Sequence, residues 1–230
     1  MLRLGLIGMS DGNGHPYSWA AIINGYNKEV METCPFSAIP AYLDRQSFPR
    51  DQIRGAEVTH IWTQDNVLSD HIARASKIPN VVSHVTDMLG KVDGILLARD
   101  DAENHYEIAK PFLEAGLPIY IDKPVALNIQ SLNKIFNSAV SPSQIFSCSA
   151  LRYAKEIIPS GDELKKIGDL RGISATTPNS WEKYAVHLVD PIMSFLLPKK
   201  IISKEVKRLG GATEVILKWD SEIESRLYTT

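Results

Sequence analysis

The chain has 230 residues, with 25 Lys plus Arg against 27 Asp plus Glu and a formal net charge of −2. That balance argues against a nucleic-acid surface, and a chain of this length buries roughly 70–75% of its unfolded surface with no need of a disulfide or metal staple. Cys34 and Cys148 lie far apart without ligand-like spacing, as in a reducing cytosol, and no apolar run is long enough to span a bilayer.

The opening LRLGLIG (2–8) is an apolar run that stops at glycine, as a buried parallel strand should. It is too short and too soon glycine-rich for a signal peptide, so a cytoplasmic location is expected. In GMSDGNGHPYSWAAIINGYN, Pro16 stands at a first helical position, and Trp19, Ile22, Ile23 and Tyr26 recur at helical spacing. Residues 28–55 hold three prolines and little periodicity, and read as a long irregular insertion. Strand and helix then alternate. EVTHIWTQD (57–65) is a strand, NVLSDHIARASKI a helix, NVVS a short strand, VTDMLG a short helix and VDGILLAR (92–99) a buried strand. AENHYEIAKPFLEAG (102–116) is a helix ending in glycine, LPIYID a strand and LNIQSLNKIFNSAV a helix. The order predicts an α/β fold with a doubly wound parallel sheet over residues 1–125.

Residues 126–230 predict a smaller α+β domain with an open, mostly antiparallel sheet. SQIFSCSALRYA, GDLRGISATTP and GATEVILKWD read as its strands, with helices near 155–167 and 184–197. PKKIISKEVKR (198–208) reads as a solvated strand and turn. The final SEIESRLYTT alternates as a strand and is expected to leave a sheet edge.

Two features suit a dinucleotide. Gly8, Gly12 and Gly14 supply a glycine turn ahead of a helix N-terminus, although the turn is longer than GxGxxG and also carries Asp11 and His15. Asp65, ending HIWTQD, can accept both ribose hydroxyls and would repel a 2′-phosphate, which favours NAD over NADP. Asp44 in AYLDR competes for that role, and capping a helix is the structural alternative for either acid.

HYEIAKPFLEAGLPIYIDKPVAL, with VDGILLAR before it, resembles the glucose–fructose oxidoreductase/inositol dehydrogenase/MocA (Gfo/Idh/MocA) family. The shared pattern is His-x3-Ala-x3-Leu-x-Ala-Gly-x6-Lys-Pro, and the family's usual Glu-Lys-Pro is here Asp122-Lys123-Pro124. The resemblance implies a Rossmann domain, an NAD-dependent oxidoreductase of sugar-like secondary alcohols, and self-association through the second sheet. It implies that Lys123 contacts both cofactor and substrate and is catalytic, and that Pro124 follows a cis bond. His15 joins the glycines on the cofactor side. ALRYAKE resembles the segment returning Arg152 and Tyr153 to the substrate. SWEKYAVHLVDPIMSFL resembles the helix carrying the catalytic histidine, here His187. Family members often carry Asp four residues before that histidine; this chain has Lys183. Tyr184 and Asp190 complete the substrate-side set, with Asp190 expected to orient the His187 ring. That departure, the unusual glycine loop and the short second domain leave an alternative function, a non-catalytic dinucleotide- or sugar-binding regulator. No metal site is expected.

Overall fold

A computed structural model of the chain describes residues 1–178 and 180–230. Six short strands form one parallel sheet: β1 Leu2–Ile7, β2 Ala56–Trp62, β3 Asn80–Val81, β4 Gly94–Leu97, β5 Ile119–Ile121 and β6 Ile145–Phe146. Their order is β3-β2-β1-β4-β5-β6. Successive residues of β1 face opposite sides. Leu6 packs with helices α1 (His15–Asn24), α2 (Lys28–Met31), α3 (Ala38–Leu43) and α4 (Asn66–Ala75), while Ile7 packs with α5 (His105–Glu114) and α6 (Ile129–Ser138). A strand buried on both faces has no polar alternation to show, hence the uniformly apolar LGLI and GILL runs.

The insertion is not irregular, contrary to the sequence expectation. Asn27 caps α2 by accepting from the Val30 amide, and α3 follows. Met31, Cys34 and Leu43 are buried in the same cluster as Leu6 and Ile61. His71 of α4 ties the segment down: the Tyr17 hydroxyl lies 2.7 Å from Nδ1 and the Thr33 hydroxyl 2.8 Å from Nε2. Thr33 gives its own proton to the Val30 carbonyl, so Nε2–H donates to Thr33 and Nδ1 accepts from Tyr17. Burial, then nearby Arg74, lowers the His71 pKa, which keeps this neutral form in place.

The family-like motif has a plain structural content. His105, Ala109 and Leu113 sit at i, i+4 and i+8 of α5 and are buried with Phe112. Gly116, at φ +79°, closes the helix, with Gly116 N–H on the Leu113 carbonyl and Leu117 N–H on that of Phe112. This is a Schellman ending, which favours glycine at that position.

The chain divides after Ser147, later than the expected boundary at 125. The reason is β6, which continues the first sheet by pairing with β5; SQIFSCSALRYA is thus a two-residue strand and then a 3-10 turn, Ala150–Tyr153. The second unit, Cys148–Thr230, holds α7 Gly161–Ile167, β7 Gly172–Thr177, α8 Trp181–Tyr184, α9 Val186–Leu196, β8 Ile201–Leu209, β9 Ala212–Trp219 and β10 Glu224–Thr229. Its sheet runs β7-β10-β9-β8, antiparallel except for β7 with β10. The last strand is therefore interior, and the edges are β7 and β8, a correction to the expected terminal edge. Leu188, Ile192 and Leu196 of α9 meet Val215, Leu217, Trp219 and Leu227 in one core.

Candidate functional site

In a sheet of this order the connections part on either side of β1 and β4, and ligands bind beyond the carboxyl ends of the strands there. The turn after β1 and the loops after β2, β4 and β5 meet at that end. Asp122, one residue past β5, is 1% exposed. Its Oδ2 accepts from Asn13 Nδ2 at 3.0 Å and from His15 Nδ1 at 2.6 Å, and its Oδ1 accepts from the Lys123 amide at 2.8 Å. Burial alone would raise the Asp122 pKa, but the hydrogen bonds from His15 and Asn13 and the charges of His15 and Lys123 outweigh it and hold the pKa below the usual value. The Lys123 ammonium lies 4.0 Å from Asp122 Oδ1, with its side chain 14% exposed. The Lys123–Pro124 peptide is cis.

The neighbouring loops are stitched together. Gln64 Oε1 accepts from the Met9 amide (3.0 Å) and Arg99 Nη1 (3.1 Å), and Arg99 forks onto Asp101. The Ser10 hydroxyl donates to Asp100 Oδ1 at 2.5 Å and accepts from the Asp100 amide. His105 lies beneath them, wholly buried, with Nδ1 3.0 Å from the Val125 carbonyl and Nε2 2.8 Å from that of Arg99. The motif histidine thus joins the β4 loop to the Lys-Pro loop.

The three glycines play different parts. A Cβ on Gly8 would come within 2.4 Å of Pro16 Cγ, and one on Gly14 within 2.6 Å of Ile39 Cδ1 and 2.9 Å of the Phe36 ring. Both are glycine because protein packs against them. Gly14→Ala should therefore cost about 1–3 kcal/mol through overpacking against the insertion, read as a lower thermal midpoint; an unchanged midpoint would refute the contact. Gly12 differs: it has φ +74° and nothing within 4 Å of a Cβ.

The turn fits a phosphate in part. The His15 amide is capped by Asn13 Oδ1 at 2.8 Å, Pro16 has no donor, and the Met9 amide is taken by Gln64. Among the described residues the amides of Ser10, Asp11, Gly12 and Gly14 have no protein acceptor, so the Gly12 and Gly14 amides are among the donors left for a pyrophosphate. Asp65 stands three residues past β2 and caps α4, its Oδ1 accepting from the Val67 amide at 2.8 Å. Asp44 ends α3 and binds Tyr26 and Lys28 at the surface.

The second unit gathers a separate cluster. The Ser149 hydroxyl meets His187 Nδ1 at 2.8 Å. Asp190 reaches that ring only through Ser149 in the bonds described. Its oxygens accept from the Ser149 amide at 2.8 Å and from Arg152 Nη1 at 2.6 Å. Tyr184 packs beside His187, with centroids 5.7 Å apart. Tyr153 is largely exposed, and Lys183 lies on the exposed side of α8. Among the described residues no group of acidic, histidine or cysteine side chains is placed to hold a metal ion, and no helix is long and apolar enough to cross a membrane.

Sequence reasoning passed over Asn13, Gln64, Arg99, Asp101 and Ser149, and the partnership of Asp122 with His15. The ARDDAENH run was the available signal, since an arginine and two acids directly after a buried strand are costly unless paired.

Residues 37–149 match the sequence model of the Gfo/Idh/MocA family, described as an oxidoreductase family with an NAD-binding Rossmann fold. The match begins after the glycine turn and ends at the start of the second unit. Among solved structures the chain is similar to a dehydrogenase from Clostridium difficile (16% identity, TM-score 0.65, covering 99% of this chain and 69% of that one). It is similar also to apo scyllo-inositol dehydrogenase from Lactobacillus casei (13%, 0.66, 100% and 69%) and to an oxidoreductase from Bacillus cereus (13%, 0.67, 100% and 64%). At these identities the likeness is one of fold. The chain thus spans about two thirds of the length of these structures. No curated protein matches it.

Proposed function

We propose that this chain, whose residues 37–149 match the Gfo/Idh/MocA oxidoreductase family model, is a member of that family and an NAD-dependent oxidoreductase of a secondary alcohol on a sugar-like or nucleotide-sugar-like small molecule. The observation that carries the reading is Lys123, placed at the tip of β5 and held near a buried carboxylate at the switch-point end of the sheet. An ammonium so placed donates to the substrate oxygen and stabilises the negative charge that grows there as hydroxyl becomes carbonyl. The nicotinamide, when bound, supplies the hydride acceptor. Gly12 and Gly14 would face its pyrophosphate through their amides. Asp65, exposed beyond β2, would meet the adenosine ribose and disfavour a 2′-phosphate.

Titration with NADH, followed by nucleotide fluorescence, should give saturable binding that NADPH reproduces only at higher concentration. No binding of NADH at millimolar concentration would count decisively against the reading. One observation favours a non-catalytic binding protein instead: the Met9 amide and Arg99 are already satisfied by Gln64, and Ser10 and Asp100 by each other. Equal background rates for wild type and Lys123→Ala, on a panel of inositols and nucleotide-linked hexoses, would select that second reading.

A further inference from the structure

We infer that His15, backed by Asp122, is the group that takes the substrate's proton, so that the first unit carries its own proton relay beside Lys123. The inference rests on the oxidoreductase reading and adds a catalytic residue to it.

Asp122 is buried, and the Asn13 side chain and Lys123 amide that donate to it, with the Lys123 ammonium 4.0 Å away, favour its carboxylate form whatever the state of His15. Asp122 Oδ2 is then an acceptor only, so the 2.6 Å contact fixes the proton of a neutral His15 ring on Nδ1. Nε2 then carries a lone pair. Among the described residues Nε2 makes no hydrogen bond, and about a third of the side chain is exposed. The ring is also fixed in direction. It stacks on Trp19, one helical turn later, with centroids 4.9 Å apart and planes 13° from parallel, and Trp19 meets the Tyr120 edge. Asn13 completes the mount: its side chain donates to Asp122 and accepts from the His15 amide. A buried carboxylate, an imidazole with one nitrogen bonded to it and the other open, and a fixed ring plane are the parts of a positioned base.

His187 Nδ1 meets a neutral serine hydroxyl, and the nearby carboxylate is committed to Arg152 and a backbone amide. For alcohol oxidation the relay balances simply. The carbinol O–H bond breaks and its proton passes to His15 Nε2. The C–H bond breaks with its electron pair going to the nicotinamide C4, and the C=O π bond forms. The carbinol is oxidised, the nicotinamide is reduced, and the imidazolium returns its proton to water.

Nitrogen-15 NMR of the full chain tests the mount without turnover. The expected result is the Nδ1–H tautomer for His15, lost in Asp122→Asn; an Nε2–H tautomer in the wild type overturns the relay. Kinetics with NAD and scyllo-inositol, myo-inositol or UDP-linked hexoses test the role. His15→Gln should lower kcat at least 30-fold with NADH affinity within threefold of wild type, and His15→Ala should regain activity with added imidazole, which a structural role would not allow. If His15→Gln turns over as wild type does while His187→Gln does not, the relay is wrong and the oxidoreductase reading stands. If the wild type binds no NADH and oxidises none of these alcohols, the oxidoreductase reading itself is wrong. That failure is read from cofactor binding, independently of the tautomer.

Discussion

Replacing Lys123 with alanine should lower the rate of hydride transfer about 100- to 1,000-fold, the loss typical when one donor to a developing oxyanion is removed. NADH affinity should change little, because the Gly12 and Gly14 amides proposed to meet the pyrophosphate are backbone groups elsewhere in the crevice. The variant should also fold. Asp122 keeps its bonds from Asn13, His15 and the residue 123 amide, since alanine retains the N–H. Single-turnover absorbance at the reduced nicotinamide band separates the steps. A variant that binds NADH normally and transfers hydride at the wild-type rate would remove Lys123 from the chemistry, whatever the fold.

Trp219→Ala should be the most damaging core substitution in the second unit. The indole is 1% exposed, packs with α9 and β10, and donates from Nε1 to the Ser225 hydroxyl at 2.9 Å. Truncation removes a large apolar surface, leaves a cavity and strands that hydroxyl, for about 3–5 kcal/mol. In a unit of this size each kcal/mol moves the midpoint by about 4–8 °C, so a fall of roughly 15–30 °C is expected. Calorimetry should show the second unit melting early, with the transition of the first near its original temperature. A midpoint within a few degrees of wild type would mean that the α9–sheet core described here is not the one that holds this unit together.

The parallel sheet was legible because its signals are local. Buried strands are uniformly apolar, α5 shows an i, i+4, i+8 stripe, and Gly116 marks a helix end that only a left-handed residue closes well. The second unit was less legible. The two-residue β6 is too short to show a period, and its place beside β5 is a long-range fact absent from its own residues. The interior position of β10 is likewise set by pairing on both sides, which alternation alone does not encode. In the site, Lys123 was visible because a lysine ending an apolar strand is conspicuous. Asp122 was quoted as part of the same phrase, yet its partners lie more than 100 positions away. Asp65 illustrates the opposite problem. It occupies a position that suits a ribose, while the carboxylate also does the ordinary work of capping α4.

The Phe36 and Ile39 side chains wedged against Gly14 bear on how sequences of this type should be compared. Two of the three glycines in the turn answer to protein neighbours, Gly8 to Pro16 of α1 and Gly14 to residues 36 and 39 of the segment beside it, so their spacing is a record of packing as well as of any nucleotide chemistry. A relative that lost this segment would be released from glycine at the Gly14 position, and one that kept the segment would hold that glycine even after losing every trace of redox activity. For sorting working enzymes from retired ones, the informative pair of positions is then 15 and 122, where an imidazole and a carboxylate meet rather than a glycine and its packing neighbours.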